Sequence, residues 1–220
     1  APSHLGDYQF WGIPEEKVHY GLNVIDNDYW RRLSKGELSF PELKDTPYIL
    51  GVGRQVEKKN WLSVILAYQQ SGITENLVLV GNGPERPKIE ELCHRLSLDG
   101  KVVLLDFLPP EKLAPLYAKA SLVILASTYG ETWGLTVNEA MACGTPVVTS
   151  DTSSMPEIGG PDAILVNPES SDEIAAMLLR LETEPAFYEQ QRQVGLMRAQ
   201  LFSWRQTAEQ LLTVYAEATS

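Results

Sequence analysis

The sequence predicts an α/β fold, a Rossmann-like, doubly wound parallel sheet of about six strands. Two observations carry that expectation. Six short runs rich in Val, Leu and Ile (YILGVG, LVLVG, KVVLLDF, SLVILAS, PVVTS and AILVN) lack in–out alternation, as strands covered on both faces do. Mostly single helical patterns separate them. That is the rhythm of βαβ units, and right-handed crossovers then favour the doubly wound arrangement.

Residues 1–44 precede the rhythm and are irregular, aromatic-rich and scattered with Gly and Pro. Two pieces, 18–20 and 22–25, read as a strand, and YWRRLSKGEL as a helical turn or two. The segment reads as an arm or connector, with Pro41 and Pro47 bracketing a linker. From Tyr48 the pattern becomes regular. Residues 48–53 are a strand, and 61–70 place apolar residues at helical spacing, closed by Gly72. A strand over 77–81 and a helix over 85–98 follow, then a strand over 101–107 and a short helix over 111–119. The strand at 121–127 leads into a helix over 134–143, and strands at 146–150 and 163–167 complete the six. Two or three helices close the chain, over 172–182, 186–200 and 204–218. Leu211, Leu212 and Tyr215 form a stripe that reads as core-facing or as an interface seam.

A chain of 220 residues, 44% hydrophobic and 21% charged, has the make-up of a globular domain with a substantial core. Its net charge of −11 disfavours nucleic acid or an anionic bilayer as partner. A small anionic ligand is compatible with it where the scarce basic residues are concentrated. No apolar run approaches the roughly 20 residues of a membrane span. Cys93 and Cys143 form no framework and no signal peptide stands at Ala1, which points to a reducing cytoplasm. His4, His19 and His94 are scattered without ligand spacing, so no metal site is implied. Asp26-Asn27-Asp28 has no preceding parallel sheet to present it and reads as turn chemistry.

Three connections carry chemistry. In GVGRQVEKKN, Gly53 lets the backbone turn while Arg54 and Lys59 stand at or just beyond a strand's carboxyl end. An arginine fork and a mobile lysine charge suit a diphosphate. In GNGPER, Gly81, Asn82 and Gly83 bring bare backbone close to a ligand before a helix that starts with proline. Neither loop completes Gly-x-Gly-x-x-Gly, and no P-loop is present, so dinucleotide and P-loop readings are weak. The third, STYGETWGLTVNEAMACG, is the most specific. A helix opening near Gly134 offers the free N–H groups of Gly134, Leu135 and Thr136 and a partial positive charge. Glu131 precedes it, and Glu139 follows Gly134 by about 7–8 Å of helical rise. Carboxylates do not bind phosphate, but on either side of a diphosphate they accept from hydroxyls. That is the layout of a nucleoside-diphosphate sugar: ribose, two phosphates, hexose.

Glu131 and Glu139 inside GETWGLTVNEAMACGTPVV closely resemble the signature of glycosyltransferase family four, retaining enzymes of the two-Rossmann-domain GT-B fold. GRQVEKKN resembles that family's Gly-Arg…Glu-Lys loop, VGNGPERPKIEEL its Gly-x-Gly-Pro segment, MPEIG its Pro-Glu motif and FSWRQTAEQLLTVY its terminal helix. The resemblance covers nearly the whole chain from Gly12 onward.

It implies that residues 47–220 are the carboxyl-terminal, nucleotide-sugar-binding half of a GT-B glycosyltransferase, and that residues 1–46 are the connector from an amino-terminal half. Arg54 and Lys59 would bind the diphosphate and stabilise the leaving nucleotide, forming the catalytic set with Glu131, which holds donor-sugar hydroxyls. Gly134, Leu135 and Thr136 would bind sugar and phosphate through backbone N–H groups, Glu139 the ribose, and Leu105 to Leu108, with Phe107 and Leu108 in the donor site, would lie near the base. No metal and no cofactor beyond the nucleotide-sugar substrate is expected, because positive side chains and a helix terminus supply the charge. Retention is expected by front-face attack, the leaving phosphate helping to deprotonate the acceptor.

The expected partners are a nucleoside-diphosphate sugar, most simply a UDP-sugar, and an acceptor glycan, lipid or small molecule held through the amino-terminal domain. The chain departs from the family where Asp106 replaces a usual glycine, where Thr132-Trp133 replaces a small residue and Phe beside the sugar, and in lacking the amino-terminal half. Alone it should bind donor yet transfer poorly, since alignment of two substrates supplies much of the rate. The rival reading is a non-catalytic nucleotide-binding or scaffolding module of the same fold.

Overall fold

A computed structural model describes residues 2–19, 23–40, 43 and 46–219. In chain order its regular elements are α1 (Leu5–Phe10), α2 (Asn27–Leu33), β1 (Tyr48–Val52), α3 (Trp61–Ser71), β2 (Asn76–Val80), α4 (Arg86–Arg95), β3 (Val102–Leu105) and α5 (Pro110–Lys119). They continue with β4 (Leu122–Leu125), α6 (Leu135–Cys143), β5 (Val147–Ser150), α7 (Met155–Gly159), β6 (Ile164–Val166), α8 (Ser171–Thr183), α9 (Pro185–Ala199) and α10 (Trp204–Thr219).

The six strands form one sheet in the order β3-β2-β1-β4-β5-β6, and every pairing is parallel. The central strands β1 and β4 are buried at every position, which is why their sequences are continuous apolar runs. Helix α3 buries Trp61, Val64, Ile65, Ala67 and Tyr68 on one face, packs against α4 and α8, and ends at Gly72 in a left-handed conformation. On the other side α5 packs on α6, α2 lies across both, and α9 lies against α6 and α7.

The order reverses between β1 and β4: the chain runs outward from β1 through β2 to β3, then returns to β4 on the opposite side of β1. At such a switch point two successive loops leave the carboxyl ends of neighbouring strands in opposite directions and open a crevice. Here those loops are residues 53–60 after β1 and 126–134 after β4.

Several expectations need correcting. No strand forms at 18–19 or 23–25; Glu15–Lys17 is a turn of 3-10 helix, and Tyr20, Gly21 and Leu22 lie outside the described residues, as does Pro41. Val24 and Ile25 owe their apolar character to burial in the core ahead of α2. The segment read as a connector thus contributes to the core, with Ile25, Trp30 and Leu43 all buried. The Asp26-Asn27-Asp28 turn is a helix start. Asp26 caps α2 by accepting from the Tyr29 N–H at 2.9 Å, and Asn27 Nδ2 donates to the carbonyls of Ala199 and Phe202. Helix α7, five residues long, is too short to show a period in the sequence. On α10, Leu212 and Tyr215 are exposed, which removes the core-facing reading of their stripe and leaves the interface seam.

Candidate functional site

The loops after β1 and β2 are built as a pair. The Gln55 N–H donates to the Asn82 carbonyl at 3.0 Å, the Glu85 N–H to the Gln55 carbonyl at 2.9 Å, and Gln55 Nε2 to the Gly81 carbonyl at 3.0 Å. Glycine is required for this approach. A Cβ at Gly81 would stand 2.2 Å from the Gly53 oxygen, and one at Gly83 2.3 Å from the Gln55 oxygen. Beside them lies a cleft of about 330 Å³, lined among others by Gly53, Arg54, Gly81, Asn82, Phe107 and Leu108. Phe107 is 83% exposed, so its ring face is open to a planar ligand. The Arg54 side chain is exposed on this lining and makes no hydrogen bond or ion pair to any described residue. Asp106 is drawn aside: its Oδ1 accepts from Asn82 Nδ2 at 3.0 Å and Arg86 Nη1 at 3.1 Å.

Across the switch point the β1 and β4 loops are stitched together. Lys58 Nζ donates to the Gly130 carbonyl at 2.9 Å, the Thr128 N–H to the Lys58 carbonyl at 2.9 Å, and Asn60 Nδ2 to the Ala126 carbonyl at 3.2 Å. Lys59 Nζ then meets Glu131 Oε1 at 2.7 Å, with side chains 13% and 9% exposed. Ser127 Oγ donates to the same carboxylate oxygen at 3.0 Å, and the Glu131 carbonyl accepts from Ser154 Oγ at 2.9 Å. Lys59 is therefore held by Glu131 rather than standing as a free cation, with further ammonium hydrogens left to donate.

Helix α6 begins as the sequence anticipates, one residue later. Gly134 is the left-handed residue before it, φ +77°, and no side chain caps its first turn. The early N–H groups of α6, Leu135 and Thr136 among them, therefore have no intrahelical acceptor and carry the positive end of the helix dipole. Glu139, one turn on, is half-buried; Tyr117 Oη donates to its Oε2 at 2.9 Å. Burial pushes the Glu139 carboxyl up from its ordinary 4.5, and the tyrosine hydrogen bond opposes that push.

Trp133 lies against the carboxyl-terminal part of the chain. The residue is 7% exposed, its indole packs edge-on to Phe202 at 5.2 Å, and it belongs to the hydrophobic core cluster. The structure thus gathers Gly53, Arg54, Gly81, Asn82, Phe107 and Leu108 around one cleft, and joins Lys59 to Glu131 across the switch point. Gln55, Ser127 and Tyr117 are structural partners that the motifs did not single out. Gln55 and Ser127 stand within GVGRQVEKKN and STYGETWGLTVNEAMACG, whereas nothing in the sequence marks Tyr117 beyond helical periodicity. No three His, Cys, Asp or Glu side chains among the described residues cluster to hold a metal ion. Both thiols are unpaired, and burial pushes Cys93 up to about 11 and Cys143 to about 12, which makes them inert.

Comparison with known proteins follows the same outline. The family described as glycosyl transferases group 1 matches residues 36–197. The O-antigen chain mannosyltransferase B of Escherichia coli is 32% identical over 173 residues, 76% of this chain and 45% of its own length. Among solved structures, sucrose-phosphate synthase from Thermosynechococcus elongatus superposes with a TM-score of 0.83 at 27% identity, covering 100% of this chain and 58% of that one. The Anabaena protein HepE, solved with UDP and glucose, shares the fold at a TM-score of 0.76 and 20% identity, covering 88% of this chain and 55% of its own. The matches cover between 32% and 59% of the length of the curated relatives. Among the described residues, no helix is long and apolar enough to cross a membrane.

Proposed function

The chain belongs to the glycosyl transferases group 1 family, and on that footing we propose that the switch-point crevice binds a nucleoside-diphosphate sugar for retaining transfer. The observation that carries the reading is the order of the groups along the sheet edge. An apolar cleft with an exposed Phe107 suits a base. Arg54, which has no hydrogen bond or ion pair among the described residues, and the uncapped start of α6 suit a diphosphate, with further hydrogen bonds from Lys59. Glu131, fixed by Lys59 and Ser127, suits the hydroxyls of the transferred sugar, and Glu139 those of the ribose.

The donor we favour is a UDP-sugar. Such donors are common in the family that the motifs resemble, and HepE, which shares the fold, was solved with UDP and glucose. Charge on the leaving diphosphate is met by Arg54, Lys59 and the helix terminus, so the chemistry we propose needs neither metal nor cofactor. The acceptor, a glycan, lipid or small molecule, is held by a part of the protein matching the rest of the relatives' length. Two inert, unpaired thiols fit work in a reducing cytoplasm.

Calorimetric titration with UDP, UDP-glucose, GDP and GDP-mannose tests this. Saturable binding of a nucleotide is expected, tighter for one base than the other. Glu139→Ala is expected to weaken free UDP by about tenfold, as loss of hydrogen bonds to a charged group does, whereas Glu131→Ala chiefly weakens the sugar-bearing donor. If none of the four binds, the donor site falls and a scaffolding role takes its place. Equal losses for both ligands in both variants would refute the division between the two glutamates.

A further inference from the structure

A half-buried carboxylate is an awkward acceptor for ligand hydroxyls, because it rotates about its own torsions and burial favours its neutral form. For Glu139 both difficulties are met by a residue from another helix. Tyr117, on α5, is fully enclosed. Its ring packs edge-on to Trp30 at 5.8 Å, and its carbonyl accepts from Thr145 Oγ1 at 2.6 Å, so both ends of the residue are fixed. Its hydroxyl donates to Glu139 Oε2 at 2.9 Å, while Glu139 Oε1 makes no hydrogen bond to any described residue. One buried hydroxyl, carried by α5, therefore holds a carboxylate of α6.

We propose that Tyr117 is a positioning residue for donor binding: by holding Oε2 it fixes the Glu139 side chain so that Oε1 is presented to the ribose hydroxyls. The proposal rests on the donor reading above. Burial and the neighbouring Glu139 push the phenol's own ionisation well up, so it stays an O–H donor across the working range. The titratable groups that act on or respond to Glu139 are Tyr117 and, one turn along α6, Cys143. From α2, which also packs on α6, the Trp30 carbonyl faces Cys143 and adds no titrating group. Because only the ionised carboxylate accepts from both oxygens, nucleotide affinity should fall as pH drops through the Glu139 pKa. That fall should begin above the ordinary 4.5. Removing the phenol removes the contribution that holds the pKa down, and moves the fall to higher pH.

The test uses the 220-residue chain, with UDP affinity measured from pH 5 to 8 for wild type, Tyr117→Phe, Glu139→Gln and the double variant. Tyr117→Phe is expected to weaken UDP about fivefold at pH 8 and to shift the acid limb upward. In the Glu139→Gln background only the fall set by the terminal phosphate of UDP itself, with a pKa of about 6, remains, and Tyr117→Phe has little further effect on affinity or on that profile. A carbon-13 titration of the Glu139 carboxyl with no nucleotide present should show its pKa rising in Tyr117→Phe. Unchanged affinity and pH profile, or the same fivefold loss in the Glu139→Gln background, would overturn the proposal and leave Tyr117 a purely structural residue. A wild-type chain that binds no nucleotide sinks the donor reading. The carboxyl titration then decides the tyrosine's hold separately, and a Glu139 pKa unmoved by Tyr117→Phe refutes it.

Discussion

Lys59 and Glu131 meet at 2.7 Å with little solvent around either head group, so each neutralises a charge the other could not bear alone. Removing one partner of a shielded pair leaves a desolvated charge, and the penalty is larger than the pair's own net contribution. Lys59→Ala is therefore expected to destabilise the chain by about 3 kcal/mol, read as a lower midpoint in urea denaturation. Lys59→Met combined with Glu131→Gln should recover most of that loss, because no charge is left unpaired. A double variant no more stable than Lys59→Ala would show that the pair contributes by shape rather than by charge. The pairing also shows why the two residues cannot be assigned wholly separate duties. The lysine proposed for phosphate and the glutamate proposed for sugar stand at 2.7 Å, so rotating either disturbs both.

At the scale of elements, the start of α6 is set by Gly134 and by α7 behind it. A Cβ on Gly134 would fall 2.4 Å from Met155 Cε, at a φ of +77° that side-chain-bearing residues rarely adopt. Gly134→Ala should cost about 2 kcal/mol from backbone strain alone and push α6 away from α7. A lower thermal midpoint is expected together with weaker UDP binding, since the displaced N–H groups no longer converge on one anion. Retained affinity with lowered stability would separate the helix terminus from the ligand. The β1 and β2 loops are likewise fixed as a unit, because Gln55 spans both through its backbone and its side chain.

For the whole molecule, the question is how far the core extends toward the amino end. Trp30 of α2 is 7% exposed and shares one hydrophobic cluster with the sheet. Tyr29 Oη adds a hydrogen bond to Glu111 on α5 at 2.9 Å. Trp30→Ala should therefore cost about 3–5 kcal/mol in urea denaturation, with far-UV and fluorescence transitions that coincide. A loss under 1 kcal/mol would make the segment an appended arm after all.

The sequence by itself determined the six strands and their type, because strands covered on both faces must be apolar throughout and crossover helices must be amphipathic. It also determined which loops carry donors and acids, since glycines, Arg54, Lys59, Glu131 and Glu139 are legible wherever they stand. Three things were decided only by the tertiary structure. Lys59 is matched to Glu131 across loops from different strands, Trp133 turns into the core against Phe202, and Tyr117 reaches Glu139 from a neighbouring helix. Each is a contact between residues distant in the chain. Periodicity records only that a side chain is buried; what it is buried against is set by how the layers pack.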